Sequence, residues 1–367
     1  MISINTTELK SALSKVCKCA KNDKTAPLTQ LLHINTIDSH TIEFTSTDEK
    51  NIFSYYLFDE LNNFESFDVC ILVDQITKLV SKFNSSKTEL FLSDSGNELK
   101  LNGDGLYTIS IPIDAEGNKI KYPKVDIGNN KSEVYTGKMK TFINNLKYCE
   151  GSITKLSFDL QAEDYPRTNY FVGDKMAALD GFLATTVYGD PIPFSMLVSP
   201  TMVKILTNFE DDEFSLYKTD KYIIFESKSC KLISIEPEGL DGFPIEVAES
   251  IISNINGNSI DISASVLNNA LSRLNLFTED KYDNSIKLKF NNSGMAAYTL
   301  DESCCEIISS EYIDDSFECY INVHSLMSLI KNYGNDILTV YFGDEQCLKF
   351  VCDNVSQIIV LSDLGEE

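Results

Sequence analysis

The cysteine and histidine residues are the side chains in this sequence best suited to bind a metal ion, but their spacing does not support a site. Cys17 and Cys19 lie two residues apart in a predicted helix, so their side chains point about 200° from each other. Cys304 and Cys305 have no second Cys or His pair at ligand spacing, and the chain has three histidines in all. We therefore predict no metal, no cofactor and no disulfide framework, with the ten cysteines as thiols in a reducing compartment.

Catalytic motifs are also missing from the sequence. It has no Gly-rich phosphate loop ending in Lys-Ser or Lys-Thr, no dinucleotide-binding fingerprint and no Gly-x-Ser-x-Gly elbow. An enzyme would have to rely on carboxylates that no pattern singles out. We therefore expect a protein that is not an enzyme, and enzyme turnover with nucleotides or DNA would argue for the opposite.

Lysine is the remaining residue type whose distribution is informative. The formal net charge is −24, from 31 basic and 55 acidic residues, which argues against nucleic acid as a partner if charge were evenly spread. The bases are instead concentrated in six windows of helical periodicity, 9–21, 75–87, 138–148, 200–209, 266–275 and 324–334, which contain no Asp or Glu. Twelve of these bases are predicted to contact DNA: Lys10, Lys15, Lys18, Lys21, Lys78, Lys82, Lys138, Lys140, Lys147, Lys204, Arg273 and Lys331.

A polyanion explains this segregation, because an ordinary solvated helix mixes charges and gains from Glu–Lys pairs. Lysine is a point charge without the bidentate fork of arginine, so a lysine-rich surface suits contact with the phosphate backbone better than base reading. The acidic remainder of the chain would discourage binding elsewhere. The alternative is that these helix faces are simply solvated.

The six windows also form two sets of three at nearly equal spacing. Apolar residues with helical periodicity begin at Leu9, Met139 and Leu267 in the first set, and at Ile76, Met202 and Leu326 in the second. Each second-set window is followed by a predicted hairpin. The hairpins pair 90–92 with 99–101, 214–217 with 222–225, and 338–341 with 348–351.

The repeat predicts an α+β fold of three tandem copies, each with two helices and antiparallel sheet. Breaks in the pattern place the boundaries near residues 125–133, at Gly128-Asn129-Asn130-Lys131-Ser132, and near residues 246–258, around Asn254-Ile255-Asn256-Gly257-Asn258. We therefore predict three domains, covering residues 1–127, 128–250 and 251–367.

Three such copies with acid-free helices resemble the bacterial and phage-type DNA sliding clamp, the beta subunit of replicative DNA polymerase. Short matches in the family's order support the resemblance: 9–13 followed by 25–28, then 46–48, 178–181, 242–244 and 321–323. The resemblance covers essentially the whole chain. It implies a closed ring made by a head-to-tail homodimer, with the helices lining a central channel around double-stranded DNA.

The resemblance also implies protein partners, namely the replicative polymerase and the clamp loader. The family binds a short apolar peptide from them in a pocket between the second and third copies. In this sequence the implied lining residues are Ile153, Leu179, Gly181, Ala184, Asn322, Ile359 and Leu361. Leu179 replaces the family's usual Thr before Asp-Gly, so partner specificity is expected to differ. Several of the lining residues could instead be ordinary core.

Two further expectations complete the hypothesis. No run of about 18 apolar residues occurs, so we expect no membrane contact and a cytoplasmic protein, in the host cytoplasm if a phage encodes it. The alternative function is a repeat-built scaffold that binds proteins and never touches DNA. Retention on circular DNA with release from linear DNA would separate the two functions.

Overall fold

The computed structural model describes residues 1–21, 23, 25–61, 63–128, 130–157, 160–279, 284–311, 316–343 and 346–363. The first stretch of the chain contains β1 (Ile2–Asn5), α1 (Thr6–Val16), β2 (Leu31–Asp38), β3 (Thr41–Thr47), β4 (Asn51–Phe58), β5 (Asp68–Leu72), α2 (Val73–Val80), β6 (Lys87–Leu92), β7 (Glu98–Asn102) and β8 (Leu106–Ser110). The second contains β9 (Tyr135–Lys138), α3 (Met139–Cys149), β10 (Tyr170–Val172), β11 (Lys175–Leu179), β12 (Leu183–Tyr188), β13 (Met196–Val198), α4 (Pro200–Leu206), β14 (Glu213–Lys218), β15 (Tyr222–Glu226) and β16 (Cys230–Ile235).

After the second stretch comes α5 (Ile245–Asn254). The third stretch contains β17 (Asn258–Ser263), α6 (Ala264–Leu274), β18 (Ser285–Asn291), β19 (Gly294–Tyr298), β20 (Cys305–Ser309), β21 (Phe317–Asn322), α7 (Val323–Ile330), β22 (Ile337–Phe342), β23 (Cys347–Cys352) and β24 (Val355–Val360). One order, a strand, a helix, four strands, a helix and three strands, thus occurs three times. The three predicted hairpins are the antiparallel pairs β6–β7, β14–β15 and β22–β23.

The strands of the described residues form four antiparallel sheets in two compact units. Unit 1 comprises residues 1–141 and 201–236, and unit 2 comprises residues 142–200 and 237–367. Unit 1 contains the eight-stranded sheet β5-β2-β3-β4-β16-β15-β14-β9 and the four-stranded sheet β1-β6-β7-β8. Unit 2 contains the eight-stranded sheet β13-β10-β11-β12-β24-β23-β22-β17 and the four-stranded sheet β20-β19-β18-β21. Each eight-stranded sheet therefore joins four strands from one copy to four from the next.

The two faces of each eight-stranded sheet have different surroundings. We call the face that contacts α1 in unit 1, or α7 in unit 2, the inner face, and the opposite one the outer face. Ser46 of β3 marks the inner face in unit 1, because its hydroxyl donates to the Val16 carbonyl of α1 at 2.6 Å. Gln357 of β24 marks it in unit 2, because its amide donates to the Leu329 carbonyl of α7 at 3.2 Å.

The first helix shows how the sequence specifies these elements. The Asn5 side chain caps α1 by accepting a hydrogen bond from the Thr7 backbone N–H at 2.9 Å. Leu9 and Leu13 of the apolar stripe are at most 1% exposed, and burying each such leucine contributes about 1.5–3 kcal/mol. At α7, Asn322 plays the same capping role toward the Ser325 N–H, at 2.9 Å. Helices α1 and α7 therefore begin where a polar cap precedes a periodic apolar stripe.

Two expectations about the helices were wrong. Helices α1 and α2 begin before the predicted windows and contain Glu8 and Asp74 in their first turns, where carboxylates interact favourably with the helix dipole. Acid–Lys pairs are not missing either, since the Lys78 ammonium lies 2.8 Å from the Asp74 carboxylate, four residues earlier. In addition, α5 occupies much of the segment 246–258, which the sequence predicts to be a domain boundary. Within the described part of the chain, no helix is long and apolar enough to cross a membrane.

Candidate nucleic-acid interface and peptide pocket

Most of the cations predicted to contact DNA are exposed. The exposed members are Lys18, Lys21, Lys78, Lys82, Lys138, Lys140, Lys147, Lys204, Arg273 and Lys331. They lie within the helices or within a few residues of a helix end. Because an exposed lysine can reach a phosphate without a large desolvation cost, these residues satisfy the first requirement of a backbone-contacting surface.

Acidic side chains nevertheless pair with about half of this set. The pairs are Lys21 with Asp48 at 3.9 Å, Lys78 with Asp74 at 2.8 Å, Lys138 with Asp212 at 3.6 Å, Arg273 with Glu306 at 2.7 Å and Lys331 with Glu150 at 2.9 Å. The Arg273 pair is bidentate, because a second guanidinium nitrogen donates to the other Glu306 oxygen at 2.7 Å. The exposed cations without an ion pair to another described residue are Lys18, Lys82, Lys140, Lys147 and Lys204. These five are the strongest candidates for phosphate contact.

Two of the predicted DNA contacts are used inside the fold. Lys15 is buried, with its ammonium 2.7 Å from the Glu210 carboxylate and 4.1 Å from the centre of the Tyr55 ring. Burial alone would lower the pKa of Lys15, but Glu210 and Tyr55 together raise it, so the charge is retained and satisfied internally. The prediction that Lys15 contacts DNA is therefore wrong. Lys10 is half-buried and donates to the Phe83 carbonyl at 2.6 Å, which removes one of its donors.

A buried apolar cluster on the outer face of the sheet in unit 2 contains two of the predicted pocket residues. Leu179 of β11 and Ala184 of β12 are cross-strand partners, 8% and 5% exposed. Helix α5 packs over them. The buried members of the cluster are Phe171, Ala177, Leu179, Ala184, Leu197, Phe243, Ala248, Ile252, Ile255, Cys347 and Ile358. The cluster thus combines outer-face strand residues with one side of α5.

The turn before β12 has the conformation that its glycine permits. Gly181 has a φ of +100°, which residues with a side chain rarely adopt. The Asp180 carboxylate closes the turn by accepting from the backbone N–H groups of Phe182 and Leu183, at 2.8 and 2.7 Å. Burial raises the pKa of Asp180. This turn presents the Phe182 side chain, 70% exposed, at the edge of the cluster.

The remaining side chains of the predicted pocket set are not members of this buried cluster. Ile359 is 1% exposed and lies on the inner face, because side chains alternate along β24 and Gln357 contacts the inner-face helices. The prediction of Ile359 as a pocket residue is therefore wrong, and its neighbour Ile358 lies in the cluster instead. Asn322 caps α7, Leu361 is half-buried with its N–H donating to the Gln346 carbonyl at 2.7 Å, and Ile153 is half-buried outside the cluster.

Helix α5 is the part of this site that sequence reasoning missed. Ile245, Ala248, Ile252 and Ile255 face the cluster at helical spacing, a signal that was present in the sequence but lay inside a presumed boundary. The adjacent positions Val247 and Ile251 are 58% and 39% exposed. Phe182 and Val360, on the turn and strand that flank the cluster, are also exposed, and the Val360 N–H donates to the Phe182 carbonyl at 2.8 Å. We call these four exposed apolar residues the α5 rim.

Each four-stranded sheet also has an exposed apolar edge. Strand β8 ends one sheet and carries Leu106 and Tyr107, 63% and 39% exposed. Strand β20 ends the other and carries Ile307, 71% exposed. Leu276 and Phe277, just after α6, are 77% and 60% exposed. Unpaired edges with exposed apolar residues are templates for pairing with another chain.

No group of three or more potential metal ligands is brought together among the residues that the structure describes. Cys19, Cys149 and Cys319 are buried, and burial raises the pKa of all three thiols, to about 12 for Cys19 and Cys319. Such thiols are poor nucleophiles near neutral pH.

The element order, sheet topology and helix placement define the sliding-clamp fold. A crystal structure of the DNA polymerase sliding clamp from Pseudomonas aeruginosa matches with a TM-score of 0.83 and 14% identity over 99% of each chain. The DNA polymerase III beta subunit from Thermotoga maritima matches with a TM-score of 0.81 and 14% identity, also over 99% of each chain. The beta subunit from Borrelia burgdorferi matches with a TM-score of 0.81 and 16% identity over 99% of this chain and 98% of that one. No protein-family model and no curated protein matches the chain.

Proposed function

We propose that this protein is a DNA sliding clamp: a processivity factor that closes as a head-to-tail homodimer around double-stranded DNA and tethers a replicative polymerase. It acts without catalysing a reaction, by keeping its partners attached to the DNA. Its contacts are independent of sequence, because lysine–phosphate contacts carry no base information. As a replication factor it would work in the cytoplasm, where bacterial and phage DNA is copied.

The observation that carries the proposal is the sliding-clamp fold combined with exposed, unpaired lysines on its helices. The fold extends over 99% of the chain. Lys140 and Lys147 on α3 and Lys204 on α4 are exposed, although the chain as a whole carries a net charge of −24. Folding of a strongly acidic protein does not require exposed lysines on its helices. Contact with phosphate does require them, so this placement favours a DNA-contacting surface.

Ring closure is proposed to use the exposed edges of the four-stranded sheets. Strand β8 of one subunit would pair with β20 of the other, which extends the sheet across the interface and buries Leu106 and Ile307. Two such contacts, related by a twofold axis, close a head-to-tail dimer. Leu276 and Phe277 would add apolar area to each contact. Each subunit would contribute three domains, 1–127, 128–250 and 251–367, and the threefold recurrence of the element order supports this division.

Polymerase and clamp loader are proposed to bind at the apolar rim around α5. A short apolar peptide could place its side chains between Phe182, Val247, Ile251 and Val360, which are exposed beside the buried cluster. A concave apolar site of this kind binds through a few anchor side chains. The pocket implied by the resemblance is thereby redefined, with Leu179 and Ala184 as its floor and α5 as its wall.

Charge reversal tests the DNA contact. Lys82, Lys140 and Lys204 are exposed, and none has an ion pair with another described residue. Changing all three to Glu should weaken DNA binding and reduce the slope of log K against log salt concentration by about 2–3. The matched control reverses Lys50, Lys155 and Lys221, which are exposed outside the helices. Equal loss in both variants would show that net charge, and not a helix surface, determines binding, and an unchanged slope in the first would contradict the DNA interface.

A further inference from the structure

A cavity of about 690 Å³ lies in unit 1, outside the proposed DNA interface and peptide pocket. Its floor is the outer face of the eight-stranded sheet, at β2, β3, β4, β5 and β16. The chain segment 111–125 covers this floor and supplies Ile111, Ile120, Tyr122 and Val125 as a wall. Sites that bind small molecules or a few side chains of a partner have volumes of roughly 300–1,000 Å³, so this cavity is large enough for either.

The cavity occupies the place in its sheet that the α5 cluster occupies in the other. His33 of β2 pairs with Thr45 and Cys70, on the strands to either side. In unit 2, Phe171 of β10 pairs with Ala177 and Leu197 in the same arrangement. The three positions lining the cavity thus correspond to three members of the apolar cluster.

The correspondence extends across the centre of the sheet. Ile52 of β4 pairs with Ile233 of β16, as Ala184 of β12 pairs with Ile358 of β24. The two sites differ in chemistry, because His, Thr and Cys replace Phe, Ala and Leu. The segments that cover the two sites also differ. Helix α5 packs over the sheet in unit 2, whereas segment 111–125, which covers the sheet in unit 1, contains no α-helix. The cavity remains open for that reason.

Hydrogen-bond acceptors form a row across the floor of the cavity. Asn35 of β2 is the cross-strand partner of both Asp68 and Glu43, so an amide lies between two carboxylates on one face. Asp68 lies at the mouth of the cavity with its side chain 76% exposed, and its carboxylate lies 2.9 Å from the His33 Nε2. A row of planar acceptors suits a ligand group with several donors in a fixed plane, and guanidinium is the protein group of this kind.

An aromatic wall stands beside this row. The rings of Tyr122 and His33 are stacked, with centroids 5.1 Å apart and planes 3° from parallel. The Tyr122 hydroxyl is shielded from solvent and has no hydrogen-bond partner among the residues that the structure describes. Guanidinium groups stack on aromatic faces as well as pairing with carboxylates, so the wall and the row fit the same ligand group.

We propose that this cavity is a second peptide-binding site, which takes an extended segment of a partner protein through one arginine and a neighbouring apolar residue. The arginine would bind the Asp68–Asn35–Glu43 row, and the apolar side chain would contact Ile52 and Ile233. The site would let the protein hold a second partner while the α5 rim is occupied. Peptide binding at this cavity does not require the protein to encircle DNA. An anion is the competing occupant, because segment 111–125 also places Lys119, Lys121 and Lys124 at the cavity.

The probe is acetyl-Leu-Arg-Leu-amide, compared with the same peptide carrying citrulline, which has the shape of arginine without its charge. Dissociation constants are measured by ligand-observed NMR on the full-length protein. The arginine peptide should bind at least about tenfold more tightly than the citrulline peptide, because charge-assisted hydrogen bonds are lost with citrulline. Glu43→Gln should remove most of this preference, and the exposed control Glu133→Gln should retain it.

Three results would overturn the proposal: equal binding of the two peptides, an arginine preference that Glu43→Gln leaves intact, or tighter binding of acetyl-Leu-Asp-Leu-amide or inorganic phosphate. The last would show that the lysines define an anion site. Gln can still accept a hydrogen bond where Glu43 does, and thermal melting of Glu43→Gln verifies the fold. If that variant melts early, Asn35→Leu, at a half-buried position of the same row, provides the same comparison.

Discussion

The Lys349 ammonium of β23 donates a hydrogen bond of 2.9 Å to the Ile255 carbonyl, just beyond the last residue of α5. A second bond of 3.0 Å reaches the Ile252 carbonyl, and the Tyr341 ring lies 4.8 Å away. The last carbonyls of a helix have no partner within it, and a cation there is also favoured by the helix dipole. Burial lowers the pKa of Lys349. A buried lysine on the outer face of the sheet thus holds the C-terminal end of the helix that walls the proposed peptide pocket.

Replacing Lys349 with Met should loosen α5 while the rest of unit 2 stays folded. The change removes two hydrogen bonds from a charged donor and leaves two carbonyls unsatisfied, which should destabilise the C-terminal end of α5 by about 1–3 kcal/mol. Hydrogen exchange of the amides in 245–254 measures this directly. The control is Lys231→Met, which removes a partly buried lysine of unit 1 that pairs with Glu226. Unchanged exchange in Lys349→Met would show that apolar packing alone holds α5.

Ile251→Asp should weaken binding of a short apolar peptide at the α5 rim. Ile251 is 39% exposed, so the substitution alters the rim without leaving a cavity in the buried cluster. Burying a carboxylate against an apolar ligand should cost at least about tenfold in affinity. Fluorescence anisotropy with labelled acetyl-Leu-Phe-amide measures the affinity. Ile113→Asp changes another exposed isoleucine, away from the α5 rim, and should not alter the affinity. Equal affinities of the unmodified protein, Ile251→Asp and Ile113→Asp would show that the peptide does not bind at the α5 rim.

The double substitution Leu276→Asp with Phe277→Asp should convert the dimer to a monomer. Both side chains are exposed in the single chain, and in the proposed ring each would be buried against the neighbouring subunit, where a carboxylate is costly. Light scattering after gel filtration should give twice the chain mass for the unmodified protein and once the chain mass for the variant. Leu156→Asp, at a side chain 76% exposed, is the control and should remain dimeric. A dimeric double variant would place the interface elsewhere.

Glu302 should make the third copy sensitive to acid. Hydrogen bonds from Lys287 and Lys289, at 2.8 and 2.9 Å, lower the pKa of Glu302 from 4.5 to about 2. The pKa of Glu302 is lower in the folded state than in the unfolded state. The contribution of Glu302 to the free energy of unfolding is therefore present above about pH 4.5 and is lost as the pH falls toward about 2. Glu302→Gln should therefore lower the melting temperature at pH 7, with the difference shrinking below pH 4.5. The exposed control Glu311→Gln should show no such dependence, and a pH-independent difference for Glu302→Gln would contradict the assignment.

The fold could be read from the sequence where the signal was local. The apolar stripes that begin at Leu9, Met139 and Leu267 and the three hairpins predicted the repeated helices and strands, because both periodicities are visible in short windows. Helix α5 was missed because its stripe lies between Gly- and Asn-containing segments that resemble a linker. The acidic first turns of α1 and α2 were missed because both helices begin two or three residues before the windows that the apolar stripe defines, and at α1 the Asn5 cap sets that start.

The sites were less predictable because they depend on long-range register. The inner-face position of Ile359 follows from the pairing of Leu183 with Ile359, which no local pattern encodes. Lys15 is buried because Glu210, far along the chain, supplies its counter-ion. The correspondence between His33 and Phe171 likewise appears only when both sheets are aligned strand by strand. Exposure and charge partners, which decide what a lysine can bind, are properties of the folded chain.

Topological binding to DNA is tested most directly on linear duplexes whose two biotinylated ends can be blocked with streptavidin. A closed ring can reach such DNA only by threading over a free end. When the ends are blocked after the protein is added, we expect a fraction to stay on the DNA through gel filtration at high salt. When they are blocked beforehand, none should be retained. Equal retention in the two orders of addition, or loss from both, would contradict the account that this protein encircles DNA.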